Sequence, residues 1–346
     1  MLRFDDIFID CTRLGRKISK EKYLQKGKHI IIDQGQNDIA GYSNEEDGIF
    51  SDVPVIIFGD HTRIFKLIKN PFFLGADGTK ILKAKISNMS YDYLYYYLKY
   101  KKIPNTGYNR HFKWLKELTF EIKDFNEQKK ISNVLDKTLK ILEIKRRQLS
   151  ELDRLVKFQF LEIFGDPILN EKNWKKIFLS DCCVINPKKN EIKLDDNFSL
   201  SFIGMADVSE KGKINTSNIK LYKEVKNGFT YFKENDVLFA KITPCMENGK
   251  GGITKNLYNK IGFGSTEFHV LRPIENISNS YWLYYLTMLP FFRKNAEKNM
   301  TGSAGQKRVP VTYFQKTLIA LPPIELQNKF ADFVKQVDKS KFEEIG

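Results

Sequence analysis

The sequence predicts an α+β protein in which two tandem, mixed α/β modules are separated by a long coiled-coil helix. Three observations predict this fold. A stretch without Gly or Pro runs from 126 to 164, β-branched runs alternate with Gly/Asp loops before it, and the same motifs return in the same order after it. The chain has 346 residues, 42% of them hydrophobic, which is enough for two folded cores.

The composition narrows the classes of partner. A net charge of +15 favours a polyanion, with nucleic acid ahead of an anionic membrane. The sequence contains no apolar run as long as a membrane span, and its N-terminus lacks the apolar core of a signal peptide. We therefore expect a cytoplasmic protein that binds no membrane. Free thiols are expected because the vicinal Cys182-Cys183 is a poor candidate for a disulfide, and no metal is expected because the sequence has no CxxC pair and its histidines do not fall at zinc spacing. The cysteines are Cys11, Cys182, Cys183 and Cys245.

The first module is predicted to occupy residues 1–125. Strands are expected at 30–32, 53–58 and 118–122, where apolar and β-branched residues cluster. Ser90 is the expected cap of a short, tyrosine-rich helix. Gly/Asp loops and one polar, basic loop separate these elements, at 33–37, 59–61, 74–79 and 106–111.

The stretch 126–166 is predicted to be a single spacer helix with its stop signal. Asn126 is its expected N-cap, and Gly165-Asp166-Pro167 ends it. At about 1.5 Å per residue the helix would span roughly 57 Å. A coiled-coil row of apolar residues along it requires a partner helix. The residues of this row are Ile131, Leu135, Leu142, Leu149, Leu152, Val156 and Ile163.

The second module, predicted at 167–323, repeats the plan of the first and is followed by a helix at 324–346. Strands are expected at 199–208, 236–242 and 318–321, with an aromatic helix at 280–286. Order-preserving matches at offsets of about 180 to 200 residues indicate a tandem duplication. They pair Val55-Ile56-Ile57-Phe58 with Val237-Leu238-Phe239-Ala240, Thr106-Gly107 with Thr301-Gly302, and Gln128 with Gln327.

Catalytic and nucleotide-binding motifs are not recognised in the sequence. Asn70-Pro71-Phe72-Phe73 lacks the second proline of a DNA-methyltransferase motif, and the Gly-rich runs 75–80 and 249–255 lack P-loop spacing. Glu121-Ile122-Lys123 and Glu191-Ile192-Lys193 are too short to indicate a metal-dependent nuclease. The sequence therefore predicts a protein that binds rather than catalyses, without a cofactor of its own.

Basic and amide side chains on the Gly-rich loops are the candidates for DNA binding, because they can approach phosphates and reach base edges. Each residue taken alone is also typical of a solvated surface. The tyrosines of the two short helices are expected to pack against a sheet. The candidates are His61, Arg63, Lys80, Asn109 and Arg110 in the first module, and Lys241, Asn248, Lys250, Gln306, Lys307 and Arg308 in the second.

Several motifs resemble the DNA-specificity (S) subunit of type I restriction–modification systems. The central helix carries the most specific of them, supported by a loop in the first module and by the entry into the last helix. These motifs are Glu127-Gln128-Lys129-Lys130-Ile131, Lys145-Arg146-Arg147-Gln148-Leu149, Phe164-Gly165-Asp166-Pro167, Asp33-Gln34-Gly35-Gln36 and Leu321-Pro322-Pro323-Ile324-Glu325-Leu326-Gln327.

The resemblance implies two target-recognition domains, each reading one half of a split double-stranded DNA site, with two antiparallel conserved helices setting the gap. It implies a subunit without catalysis that docks methyltransferase (M) subunits and, through the assembly, a restriction (R) subunit. S-adenosylmethionine, ATP and Mg²⁺ are then expected only on those partners.

The resemblance also predicts a departure at the C-terminus. About 20 residues follow Gln327, so the second conserved helix is expected to be shortened, with Val334, Val337 and Phe342 as its apolar face. Much of the row from Leu142 to Ile163 would then lack an internal partner and would be open to self-association.

Two other classes stay open at this point. A self-contained DNA-modification enzyme would bind S-adenosylmethionine by itself. A coiled-coil adaptor would bind proteins independently of DNA and salt, whereas the affinity of a DNA reader falls steeply as salt rises.

Overall fold

The structure, a computed structural model, describes residues 1–75, 77–107, 109–166, 169–303 and 305–343, without the side chains of 342 and 343. Pro167 and the side chain of Phe342, which belong to predicted motifs, lie outside the described residues. The chain divides into two compact units, Met1–Ile144 (unit 1) and Lys145–Gly346 (unit 2), and the division falls inside the longest helix. The predicted domain boundaries at 125, 166 and 323 stay a prediction.

Unit 1 contains three small sheets and short helices. β1 (Leu2–Arg3) pairs with β9 (Thr119–Phe120). β2 (Phe8–Asp10), β8 (Thr79–Ala84), β5 (Val55–Gly59) and β6 (Phe65–Ile68) form an antiparallel sheet in that order. β3 (His29–Ile32) lies between β4 (Gly41–Ser43) and β7 (Phe72–Leu74), parallel to β7. The helices are α1 (Phe4–Ile7), α2 (Tyr91–Tyr100), α3 (Phe112–Lys116) and the first part of α4 (Phe125–Phe164).

Strand β5 shows why a continuous apolar run forms a strand here. Successive side chains of a strand point to opposite faces. Ile56 and Phe58 accordingly lie in one core, and Val55 and Ile57 in another. All of β5 is buried, so both faces of the strand must be apolar.

Unit 2 contains the same kinds of sheet. β10 (Lys175–Phe178) pairs with β19 (Leu318–Leu321). β11 (Cys183–Ile185), β18 (Phe268–Pro273), β15 (Val237–Ala240) and β16 (Gly251–Ile253) form an antiparallel sheet in that order. The third sheet has the order β13 (Ile219–Leu221), β12 (Ser199–Ile203), β17 (Ile261–Gly264), β14 (Thr230–Lys233), with β12 and β17 parallel. The helices are α5 (Tyr222–Val225), α6 (Ser280–Met288), α7 (Pro290–Lys298), α8 (Val311–Lys316) and α9 (Ile324–Glu343).

The two units share one topology. The order β2-β8-β5-β6 in unit 1 matches β11-β18-β15-β16 in unit 2, and the parallel pair β3–β7 matches β12–β17. Within the described residues, α5 and α7 are additions in unit 2, and the place of β14 is taken in unit 1 by the single antiparallel bridge Phe50–Phe72. The predicted fold, two tandem α/β modules with a long helix, is therefore confirmed, as is the internal duplication.

A buried glutamine occupies the same place in each unit. Gln128 Oε1 accepts a hydrogen bond from the Ser90 N–H (2.9 Å), and Gln327 Oε1 accepts one from the Asn279 N–H (3.0 Å). Ser90 and Asn279 are the N-caps of α2 and α6. Each glutamine thus fastens a short aromatic helix to the first turn of the following long helix, which explains why the motif recurs.

The start of α4 differs by two residues from the prediction. The Asp124 carboxylate accepts hydrogen bonds from the N–H groups of Asn126 (2.9 Å) and Glu127 (3.0 Å), so Asp124 is the cap and the prediction of Asn126 was wrong. An ionised carboxylate accepts two orphan N–H groups and interacts favourably with the helix dipole. These hydrogen bonds hold the pKa of Asp124 below its usual value. The helix ends at Phe164, and the next residue, Gly165, has a φ of 75° that is readily adopted only by glycine.

Helix α9 runs antiparallel along the last part of α4. The Phe330 ring lies 5.4 Å from Phe160 and 5.5 Å from Phe164, and Lys341 Nζ lies 2.7 Å from Asp153 Oδ1, about two to three turns earlier in α4. This contact contributes to the main core of unit 2.

The predicted row of α4 therefore has two different environments. Leu152, Val156 and Ile163 pack in the core beside α9, so the expectation of an uncovered row up to Ile163 was wrong for these three residues. The uncovered part lies earlier, because α9 meets only the last turns of α4. Ile131, Leu135 and Leu142 are exposed and Leu149 is half-buried.

Candidate nucleic-acid interface

In unit 1, three loops converge on the side chain of Gln34. Its Oε1 accepts a hydrogen bond from the His61 N–H (3.1 Å), and its Nε2 donates to the Asp77 carbonyl (2.7 Å). Its own carbonyl accepts from the Thr62 hydroxyl (2.6 Å). Gln34 was not among the predicted site residues, although its motif contributed to the family resemblance. The structure thus places His61 beside Gln34, where the three loops meet.

Two of the predicted cations in unit 1 are turned towards the protein. Arg63 Nη1 donates to the Ile103 carbonyl at 3.4 Å. Lys80 Nζ lies 3.4 Å from an Asp10 carboxylate oxygen and 4.8 Å from the centre of the Phe112 ring. Both side chains therefore contribute positive potential to the surface, but they are not extended towards a partner.

Asn109 and Arg110 lie on an adjacent loop and are exposed, and the Asn109 side-chain amide donates to the Thr106 carbonyl of the same loop. The loop joins the same cluster because the next residue, His111, donates its backbone N–H to the Asp60 carbonyl (2.8 Å). His111 itself is buried, with Nδ1 3.0 Å from the same carbonyl. Asn109 and Arg110 are thus the predicted residues of unit 1 that are best placed to meet a partner.

In unit 2, two loops lie side by side. The Thr243 N–H donates to the Lys307 carbonyl (3.0 Å), and the Val309 N–H donates to the Lys241 carbonyl (2.9 Å). Thr301 and Arg308 exchange both backbone hydrogen bonds, so these two residues form an antiparallel bridge. The structure therefore brings together three predicted residues, Lys241, Lys307 and Arg308, from positions more than 60 residues apart.

The remaining predicted residues of unit 2 border this pair of loops. Asn248 and Gln306 are exposed, whereas Lys250 Nζ is bonded to the Met205 carbonyl (3.1 Å). Sequence reasoning missed Arg293, a buried anchor of the loop that carries Asn248. Its guanidinium lies 4.1 Å above the Phe239 ring and donates to the Met246 carbonyl (3.0 Å). Burial lowers the pKa of Arg293 to about 10, so it stays cationic at neutral pH.

The guanidinium of Arg308 is held by a carboxylate that the sequence did not suggest. Arg308 Nη2 lies 2.8 Å from Glu267 Oε1, and Nε lies 3.0 Å from Glu267 Oε2. Hydrogen bonds from Arg308 hold the pKa of the Glu267 carboxyl below its usual value, so Glu267 is ionised at neutral pH.

A buried histidine fixes the backbone beside Arg308. His269 Nε2 lies 2.8 Å from the Val309 carbonyl, and Nδ1 lies 3.0 Å from Asn186 Nδ2. Burial lowers the pKa of His269 to about 4, so the ring is neutral at physiological pH. A neutral ring donates through one nitrogen and accepts through the other, as this arrangement requires.

The described residues offer neither a metal site nor a helix that could span a membrane. Among them, no group of three or more His, Cys, Asp or Glu side chains is placed to hold a metal ion. None of the described helices combines the length and apolarity needed to span a membrane. The four cysteines are free thiols, and three of them are buried.

The fold and the loop clusters define a chain with two copies of one α/β module joined by a helix. Residues 171–345, half of the chain, match the family model described as "Type I restriction modification DNA specificity domain". The chain therefore belongs to this family. The family confirms the predicted resemblance and the prediction of a specificity component rather than an enzyme.

Two curated relatives come from Escherichia coli. The specificity subunit of the type I restriction enzyme EcoAI is 43% identical over 157 residues, which cover 45% of this chain and 26% of the relative. The EcoEI specificity subunit is 40% identical over 153 residues, covering 44% of this chain and 25% of the relative. The matched region thus spans about a quarter of each relative.

Two solved structures share the fold over nearly the whole chain. The S subunit of a type I restriction–modification system from M. genitalium has a TM-score of 0.60 at 18% identity, covering 99% of this chain and 90% of that one. A chain from a structure on the assembly and conformational transition of the type I R-M system has a TM-score of 0.54 at 13% identity, covering 99% and 92%.

Proposed function

We propose that this protein is the DNA-specificity subunit of a type I restriction–modification complex, with each unit reading one half of a split double-stranded site. One observation carries the proposal. The duplicated module presents an arginine at the same place in both units, Arg110 in unit 1 and Arg308 in unit 2. The next residue of each loop makes the equivalent backbone bond, to the carbonyl of Asp60 or of Lys241. Two linked readers bind a split site more tightly than either alone.

The charge of the chain suits this role. The net charge of +15 supplies the sequence-independent attraction to phosphates, while side chains on the loops supply the contacts that distinguish bases. The M and R subunits are the proposed protein partners, and S-adenosylmethionine, ATP and Mg²⁺ would be bound by them. The cytoplasm is the proposed location of the protein.

The salt dependence of DNA binding tests this function. We expect the logarithm of the affinity for target DNA to fall linearly with the logarithm of salt concentration, by about 0.9 for each phosphate contact. Lys307→Gln should weaken binding to every sequence and reduce that slope by about one contact. Lys329→Gln, an exposed change on α9, is the matched control and should leave the slope unchanged.

The rival classes give different results in the same experiment. Binding to a protein partner with an affinity that changes neither with salt concentration nor with added DNA would favour the coiled-coil adaptor. Stoichiometric binding of S-adenosylmethionine to the isolated chain would favour the modification enzyme. Mapping methylated bases in a host that carries the system should give a split, asymmetric motif, and a short continuous motif would contradict the two-reader model.

Self-association is a further part of the proposal and rests on the exposed face of α4. In unit 2, Phe160 of α4 lies against Phe330 and Tyr285. The equivalent place in unit 1, between α2 and α4, is an open groove of about 520 Å³ lined by Tyr96, Ile131 and other side chains. Because a helix of this same chain covers such a face in unit 2, a second copy is the proposed occupant. A two-fold contact would use the same face in both copies.

Light scattering of the full chain tests this contact. We expect a dimer, and we expect Leu139→Glu with Leu142→Glu to give a monomer, because both leucines are about half exposed on this face. Lys140→Glu adds the same type of charge at an exposed position of the same helix and should stay dimeric. A wild-type chain that stays monomeric at micromolar protein concentrations would overturn the proposed self-association.

A further inference from the structure

Three of the N–H groups of the Arg308 guanidinium are already donated within the protein. A guanidinium has five N–H donors. Nε and Nη2 donate to the two oxygens of Glu267 at 3.0 and 2.8 Å, and Nη1 donates to the Gln306 carbonyl at 3.0 Å. One N–H therefore remains on each of the two terminal nitrogens. The side chain is 42% exposed, so this pair of donors can reach a partner.

The carboxylate also fixes the plane of the guanidinium. A bidentate pair constrains both the distance and the orientation of the two groups. The Glu267 side chain is only 25% exposed, and its backbone N–H donates to Ser265 Oγ at 3.2 Å. Arg308 therefore presents a pre-oriented pair of donors rather than a mobile positive charge.

Two donors on the neighbouring terminal nitrogens of one guanidinium match two kinds of acceptor in DNA. The N7 and O6 atoms of guanine accept both donors in the major groove, and two phosphate oxygens can do the same. The structure favours guanine. Glu267 offsets the positive charge that would attract a phosphate, and it also fixes the orientation of the Arg308 guanidinium that hydrogen bonding to a base requires.

Comparison with unit 1 separates this feature from the common scaffold. The Asp60 N–H donates to the Gly78 carbonyl (2.7 Å), and the equivalent Lys241 N–H donates to the Glu267 carbonyl (2.9 Å). The described part of unit 1 thus has Gly78 where unit 2 has Glu267, and the neighbouring Asp77, which feels the charge of Arg110, is paired with Lys17. Glu267 is a feature of one reader, as expected for a residue that contributes to the choice of half-site.

We propose that Arg308 reads a guanine in the half-site of unit 2 through its two terminal nitrogens, with Glu267 as the positioning residue. The inference rests on the proposed function. It adds the base that is read, guanine, the atoms N7 and O6 that accept the hydrogen bonds, and Glu267, which acts by orienting Arg308. Arg110, at the equivalent position in unit 1, has Asp77 near it but no counterpart of Glu267, because Gly78 occupies that position.

Substitution of single guanines by 7-deazaguanine tests the inference directly, because it removes N7 and leaves the Watson–Crick edge. The full chain is measured with target duplexes in which one guanine of the unit 2 half-site at a time is replaced. We expect one replacement to weaken wild-type binding about ten-fold. Arg308→Lys should lower the affinity for the natural duplex by a similar factor, and its affinity for that modified duplex should be no lower still.

Glu267→Gln separates orientation from folding. We expect it to reduce the preference for guanine over adenine at that position while leaving non-specific binding equal or stronger, because a negative charge has been removed. A merely structural role would weaken both kinds of binding together. Lys307→Gln is the matched control, with a loss that is equal for natural and modified duplexes.

Two results would overturn the inference and leave the proposed function standing. One is wild-type binding that responds to 7-deazaguanine at none of the guanines. The other is an Arg308→Lys variant that is uniformly weaker on all sequences with a reduced salt slope, which would indicate a phosphate contact. A wild-type protein without any sequence preference would instead overturn the proposed function itself.

Discussion

Phe160→Ala is expected to destabilise unit 2 by about 3–5 kcal/mol, the range typical for removing a large buried aromatic side chain. Phe160 is 1% exposed and meets the rings of Phe164, Phe330 and Tyr285. Its loss would leave a cavity where α4, α6 and α9 meet. Urea denaturation followed by the fluorescence of Trp282, which is buried in the same core, measures the effect.

The matched control lies two residues away on the same helix. Phe158 is 64% exposed, so Phe158→Ala should change the free energy of unfolding by less than about 0.5 kcal/mol. Equal effects of the two substitutions would mean that α9 does not pack on this face of α4. A normal stability for Phe160→Ala would mean the same.

Phe160 also illustrates what the sequence could and could not predict about the helix. The seven-residue repeat correctly selected Leu152, Val156 and Ile163. It passed over Phe160 and Phe164, since the partner helix is met by residues spaced about four apart as well as seven. Which side of an amphipathic helix is covered depends on the partner, and that is a property of the tertiary structure.

Some strands were predictable from the sequence and others were not. β5 and β15 were predictable because both are fully buried apolar runs. β4 (Gly41–Ser43) and β2 (Phe8–Asp10) were not predicted, because each has only three residues and its identity comes from pairing with a neighbour. Short strands carry too few residues for a periodic pattern.

Part of the candidate site was predictable as well. Basic and amide residues on Gly-rich loops drew attention to Lys241, Lys307 and Arg308, which the structure brings together. Glu267 was missed because it lies 41 residues from Arg308 and because an acidic residue is not expected on a surface that meets DNA. Its importance depends on a contact, and contacts between distant residues are not visible in composition or spacing.

Arg272→Ala is expected to destabilise unit 2 by about 3–5 kcal/mol at neutral pH, because it would leave a buried carboxylate without its partner. Asp236 is 1% exposed, and its two oxygens accept hydrogen bonds from Arg272 Nε and Nη2, each at 2.8 Å. The exposed pair Lys226–Asp196 is the matched control. Lys226→Ala should cost no more than about 1 kcal/mol, because solvent screens that pair.

The pH dependence of Arg272→Ala identifies the cause of the loss. Burial raises the pKa of the Asp236 carboxyl, and hydrogen bonds from Arg272 and from the Lys233 N–H oppose that rise. Without Arg272 the pKa rises further. A group whose pKa is raised by folding contributes its full stability below the pKa of the unfolded state and loses it as pH rises through the folded value. The deficit of the variant should therefore be largest at neutral pH and should shrink as the pH falls and Asp236 takes up a proton. A deficit that stays constant from pH 7 to pH 4 would instead assign the loss to packing of the arginine side chain, which also lies 5.5 Å from the Tyr231 ring.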